Sequence, residues 1–160
     1  MADWQGREDE AAVASSRLHF RMAADAERLC EGRQQVRGFL SGHGLQPQAA
    51  DEVVLCVHEA CANAIEHSHT EHAIDVVLHL EATRLSVVVA DDGCGLDVAS
   101  HESHSKPELH RPKGRGLYLM ASFMDEFDVH RDGGTEIRMA KRLSSSQLVR
   151  EDPGPRRAAS

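Results

Sequence analysis

The feature that most constrains this chain is a change of hydrophobic period near residue 70. From Ala49 to Ser68 the apolar residues recur at helical spacing, with Val53, Val57, Ala60, Cys61 and Ala64 on one side. From Ala73 to Leu80, and again from Leu85 to Ala90, they alternate at the period of a strand, and the two runs join through Ala82 to Arg84 as a hairpin. Hydrophobic residues make up 41% of the 160 residues but aromatics only 4%, so the core has to be built from Val, Leu, Ile and Ala where helices meet a sheet. That combination predicts a mixed α/β protein, and the length suits a single domain.

The rest of the chain extends this frame. Met1 to Ala14 is polar and acidic, and Ser144 to Ser160 ends in a stretch of Pro, Gly and Arg, so flexible segments are expected at 1–14 and 144–160 around a folded unit at 15–143. Arg17 to Ala23 alternates as a first strand, Asp25 can cap a helix running to about Ser41, and Gly42 and Gly44 stop it. A turn at Gln46–Pro47 precedes the second helix. Leu96 to Lys113 has no periodicity, and a loop of that length inside a compact domain is usually functional or disordered. Gly114-Arg115-Gly116 opens an apolar helix, Leu117 to Met124. Glu126 to His130 and Thr135 to Arg142 form a last hairpin about Asp132-Gly133-Gly134.

Charge and composition narrow the partners. Lys and Arg number 18 against 26 Asp and Glu, a net charge of −8, which argues against nucleic acid or an anionic membrane and for a protein or small molecule. The first ten residues carry no apolar h-region, and no run approaches the roughly 18 apolar residues of a membrane span, so a cytoplasmic location is expected. Cys30, Cys56, Cys61 and Cys94 have no C-x-x-C spacing and are expected to be reduced, core-filling residues. The eleven histidines do not assemble a coherent set of zinc ligands.

Three short stretches can carry chemistry. Glu59 and Asn63 are four residues apart, so at about 100° per residue they share a helical stripe, with Glu52 and Glu66 in the same stripe and the Val57, Ala60, Ala64 face opposite. Asn63 can offer a carbonyl oxygen to a Mg²⁺ shared with phosphates, and Glu59 can orient or deprotonate an attacking hydroxyl or water. His67 lies one turn beyond Asn63, within reach of a phosphate. Asp91, at the end of a buried-looking strand, needs a donor such as the exocyclic amino group of adenine. Gly93 and Gly95 would let a flat ring approach the backbone. Gly114, Arg115 and Gly116 at a helix start aim free amides at a phosphate, with charge added by Lys113 and Arg115. Taken singly, the same stretches also read as a solvated acidic face, a strand-terminating turn and a hinge, and for the first two that plainer reading is the stronger one. Neither a Walker loop nor a dinucleotide fingerprint is present.

Their order is more specific than any one of them. E-x-x-x-N-A on a helix, a strand into D-x-G-x-G, a long loop, G-x-G-L opening a helix, and a hairpin with Gly-Gly-Thr together resemble the Bergerat-fold, histidine-kinase-like ATPases over about residues 15 to 143. The stretches HEACANAIEH and GRGLYLMASFMDEFDV look most like the bacterial anti-sigma-factor serine/threonine kinases. The resemblance implies a two-layer α/β sandwich, a mixed and mostly antiparallel sheet covered by helices on one face. It implies ATP and Mg²⁺ as cofactors, Glu59 as general base and Asn63 as metal ligand. Asp91 would be the adenine partner, supported by Thr135, with Gly93, Gly95 and Leu96 lining the base. The loop from Leu96 to Lys113 would be the ATP lid, and Gly114, Arg115, Gly116 and Leu117 would meet the phosphates. No phosphoacceptor-histidine hairpin precedes the domain and no transducer follows it, which leads to the expectation of a free-standing ATP module. Such modules bind a sigma factor and phosphorylate a serine or threonine of a small antagonist, and they commonly form homodimers. The alternative is a nucleotide-binding module that sequesters its partner without phosphotransfer.

Overall fold

The computed structural model describes residues 15–67, 73–92, 114–131 and 133–148. Each alternating run becomes a strand with an inward and an outward side: β1 (Ser16–Ala23), β2 (Ala73–Glu81), β3 (Arg84–Asp91), β4 (Glu126–Arg131) and β5 (Thr135–Arg142), the inward side being half-buried on the edge strands β1 and β4 apart from Met22. The inward register is Ile74, Val76, Leu78 and Leu80 on β2, Leu85, Val87 and Val89 on β3, and Ile137 and Met139 on β5, all at most 8% exposed. The strands are ordered β1-β2-β3-β5-β4, and every pairing is antiparallel. The mixed sheet expected from the resemblance is therefore wholly antiparallel among the described residues. β5 enters between β3 and β4 because the chain leaves β3, forms a helix, and returns as the β4–β5 hairpin.

Three helices cover the inward side: α1 (Leu29–Gly42), α2 (Pro47–His67) and α3 (Arg115–Phe123), with α2 between the other two. The stripe read from the sequence is the buried one, since Val53, Val57, Ala60, Cys61 and Ala64 are each no more than 6% exposed. Ala49, Ala50, Val54 and Cys56 are buried as well, so α2 is enclosed on more sides than a single stripe. A buried Val or Leu contributes about 1.5–3 kcal/mol, which makes this helix the centre of the core.

Local signals act close to where the sequence puts them, with small shifts. Asp25 caps a short 3₁₀ turn, Ala26–Arg28, accepting from the Glu27 amide at 3.0 Å, and α1 begins only after it. Gly42 is the last residue of α1, and Gly44, at φ 78°, turns the chain away. Pro47 begins α2 rather than closing the preceding turn, because a fixed φ and a missing amide cost nothing at the first helical position. α3 starts at Arg115, two residues earlier than expected, which puts Gly116 inside the helix. Ser144–Leu148, assigned to a tail by composition, return to the α1–α2 turn. There Leu45 bridges to Leu148, and the Gln46 amide donates to the Gln147 carbonyl at 2.8 Å. Cys56 and Cys61 fill the core, but Cys30 does not: it lies on the exposed side of α1, while Cys94 is outside the described residues. Among the described residues no helix is long and apolar enough to cross a membrane.

Candidate functional site

Glu59 and Asn63 are both half-buried on α2, and the reason is α3. A Cβ built on Gly116 would stand 2.8 Å from Glu59 Oε2, and 3.4 Å from both Asn63 Nδ2 and Glu59 Cβ. The first turn of α3 thus lies directly on the Glu59–Asn63 pair. The stripe that the sequence left open to solvent is roofed by the glycine helix. Gly114 occupies the N-cap position of α3 and supplies no side-chain cap, so the helix start presents backbone amides and a partial positive charge. A carboxylate, a carboxamide and a helix N-terminus have been brought within a few ångströms by residues more than fifty positions apart.

A second cluster forms at the end of β3. Asp91 continues the inward register of Leu85, Val87 and Val89, and the strand pairing sets it opposite Thr135, which is 3% exposed. A Cβ on Gly134 would meet the Asp91 carbonyl oxygen at 2.1 Å and Asp92 Cα at 2.8 Å, so the backbone of the β4–β5 turn is pressed against the end of β3. The two clusters share one end of the sheet. Only five residues separate His67 at the end of α2 from Ala73 at the start of β2, and the start of β2 pairs with the end of β3 through Asp75 and Ala90.

Of the other residues singled out in the sequence, Arg115 is exposed at the first position of α3, and Leu117 is half-buried against the core. His67 ends α2, and its side chain lies outside the described residues, as do Gly93, Gly95, Leu96 and the whole segment 93–113. Around the pair, burial pushes the Cys56 thiol up to about 12, with Lys141 opposing and Glu52 and Glu59 adding to the shift, and burial likewise takes Cys61 up to about 12. Neither thiol can act as a nucleophile near neutral pH. Two further residues gain a role that only the structure shows. Gly134 belongs to the Gly-Gly-Thr hairpin of the sequence motif, but the motif does not say that it lies against the end of β3. Lys141 stands in the inward register of a strand, after Thr135, Ile137 and Met139, and a lysine there is an anomaly visible in the sequence.

The segment 22–141, three quarters of the chain, matches the model of the histidine kinase-like ATPase domain. The chain belongs to that family. Among similar proteins, this histidine kinase-like ATPase is 28% identical to the serine-protein kinase RsbW of Bacillus cereus strain G9842 over 148 aligned positions, covering 87% of this chain and 92% of the relative. The RsbW of Bacillus anthracis strain A0248 is 29% identical with the same coverage. A solved structure of the RsbU and RsbW domains of Rv1364c from Mycobacterium tuberculosis superposes with a TM-score of 0.62 at 22% identity, over 80% of this chain and 32% of that one, which supports the fold. Within this ATPase domain the donor set suits a magnesium-bound nucleotide. It joins one carboxamide and one carboxylate, a helix start without a side-chain cap, and a glycine whose missing Cβ keeps the space between them open.

Proposed function

We propose that the chain is an anti-sigma factor with protein serine/threonine kinase activity, which transfers the γ-phosphate of ATP to a small antagonist protein in a partner-switching circuit of the cytoplasm. The observation that carries this reading is the seating of Gly116 on Glu59 and Asn63. The similarity to proteins named serine-protein kinase RsbW, over most of both chains, gives the direction of the reading.

Each residue then has a task set by its place. The amides of Gly114, Arg115 and Gly116, with the Arg115 guanidinium, bind and orient the phosphates, and His67 lies on the same stripe for the same purpose. Asn63 would hold Mg²⁺, which when bound neutralises charge on the phosphate oxygens. Glu59 takes the proton from the incoming serine or threonine hydroxyl as its oxygen bonds to the γ-phosphorus and the bond to the bridging oxygen breaks, leaving ADP. Asp91 accepts from the adenine amino group. Thr135, opposite it in the sheet, supports that position, with Gly93, Gly95 and Leu96 along the base, Leu117 behind the phosphates and 96–113 as lid. A sigma factor and an antagonist are the partners that the similarity to the RsbW kinases implies, and the net charge of −8 opposes direct binding to nucleic acid.

Calorimetric titration of ATP, with and without Mg²⁺, into the wild type and Asp91→Asn tests the pocket. Magnesium-dependent binding that Asp91→Asn loses is the expected outcome, and no binding by the wild type sinks the reading. Phosphate transfer to the antagonist should fall by about 10²–10⁴ in Glu59→Ala while ATP still binds. Undiminished transfer removes Glu59 as base, and binding without transfer by the wild type leaves the sequestering module.

A further inference from the structure

Among the described residues, only two polar or charged side chains are buried, Thr135 and Lys141, and both belong to the inward register of β5. Thr135 stands beside Asp91. Lys141 is 7% exposed. Its Nζ donates to the carbonyl oxygen of Phe123 at 2.8 Å and lies 2.9 Å from Glu52 Oε2. Phe123 is the last residue of α3, where an ammonium meets the negative end of the helix and a carbonyl without an intrahelical partner. Glu52 lies on α2, in the same stripe as Glu59.

These contacts fix α3 to α2 at both ends. Gly116 sits on Glu59 and Asn63, and seven residues later Phe123 is tied through Lys141 to Glu52, which is seven residues before Glu59. At about 1.5 Å per residue both separations are about 10.5 Å, so the two helices run in opposite directions with matched spacing between their attachment points. Stability alone does not explain the charge. A buried ammonium paired with a carboxylate that is 23% exposed gains little over apolar residues of the same volume, and the best-attested role of such a pair is to specify one register.

The geometry points to Lys141 as a positioning residue for phosphoryl transfer: through Phe123 and Glu52 it holds α3 in register on α2, so that the first-turn amides and Gly116 meet Glu59 and Asn63. This inference rests on the assignment of Glu59, Asn63 and Gly116 to the nucleotide site. Misplacement of reacting groups by about 1 Å can cost 10²-fold in rate, so loss of the clamp should appear in kcat before it appears in stability.

The test compares the wild type with Lys141→Met, Lys141→Arg, Glu52→Gln and the apolar pair Lys141→Met/Glu52→Leu. Two readouts are used: steady-state transfer to the antagonist, and amide hydrogen exchange of residues 115–118 without nucleotide. The apolar pair is expected to unfold cooperatively and keep its KM for the antagonist, yet lose about ten-fold or more in kcat and exchange faster at 115–118. Lys141→Arg, which keeps charge and donor, should restore most of the rate. Glu52→Gln should move both readouts the same way by less, which keeps the question open to measurement if the apolar pair does not fold. Wild-type kcat with wild-type exchange in these variants overturns the assignment and leaves Lys141 a structural group. Faster exchange in a protein whose wild type binds no ATP upholds the clamp and removes the nucleotide reading instead.

Discussion

A Cβ at Gly116 would stand 2.8 Å from Glu59 Oε2, the far end of a flexible side chain that can swing aside. Gly116→Ala should therefore leave stability nearly unchanged, since alanine inside a helix is favoured over glycine by up to about 1 kcal/mol, which offsets the contact. The displaced carboxylate should lower phosphate transfer by about 10²-fold. Chemical denaturation and a transfer assay on one preparation check both halves, and a stable variant with full activity would remove Glu59 from the chemistry. The residue scale was the most legible in the sequence. E-x-x-x-N at helical spacing and G-x-G before an apolar run point to Glu59, Asn63 and Gly116 separately, but nothing in the string says that Gly116 lies against the other two.

At the scale of elements the same substitution should behave in the opposite way on the β4–β5 turn. A Cβ on Gly134 would lie 2.1 Å from the Asp91 carbonyl oxygen and 2.8 Å from Asp92 Cα, both backbone atoms that no rotamer relieves. Gly134→Ala is expected to destabilise the fold by about 2–3 kcal/mol, read as a lower urea midpoint, and to weaken ATP binding through the displaced end of β3. The opposite end of the hairpin is held across β5: Arg84 on β3 donates two hydrogen bonds at 2.7 Å to Glu126 on β4, and the guanidinium keeps the Glu126 carboxyl below its usual range. The pair passes over Ala140, which is 4% exposed on the otherwise open side of the sheet. Periodicity located both strands of this hairpin within a residue or two. It did not reveal that β5 runs between β3 and β4, because strand order depends on which edge a returning chain can pair with, and that is settled by pairings far apart in sequence.

For the molecule as a whole, the folded unit does not stop at the last strand. Leu148 packs on the core while the backbone from 147 to 148 pairs with Leu45 and Gln46, so the C-terminal segment closes over the α1–α2 turn. Leu148→Ala, at a half-buried position, should cost about 1–2 kcal/mol, less than the 2–5 of a fully buried leucine. For a chain of this size that lowers Tm by a few degrees, and an unchanged Tm would show that the segment contributes nothing. Composition concealed this closure because the Ser-rich start of the segment outweighs one leucine, and a single apolar residue has no period to detect.

By itself the sequence determined which stretches are helix and which are strand, because a period of 3.6 or of 2 is a local property set by backbone geometry. It also determined, through the order of its motifs, the family to which the chain belongs. Only the tertiary structure decided what those elements bring together: α3 laid on the Glu59–Asn63 stripe, Thr135 set opposite Asp91, and Lys141 buried between Phe123 and Glu52. These contacts join residues from 18 to 89 positions apart, and they exist because each apolar face has to find cover while every buried polar group has to find a partner.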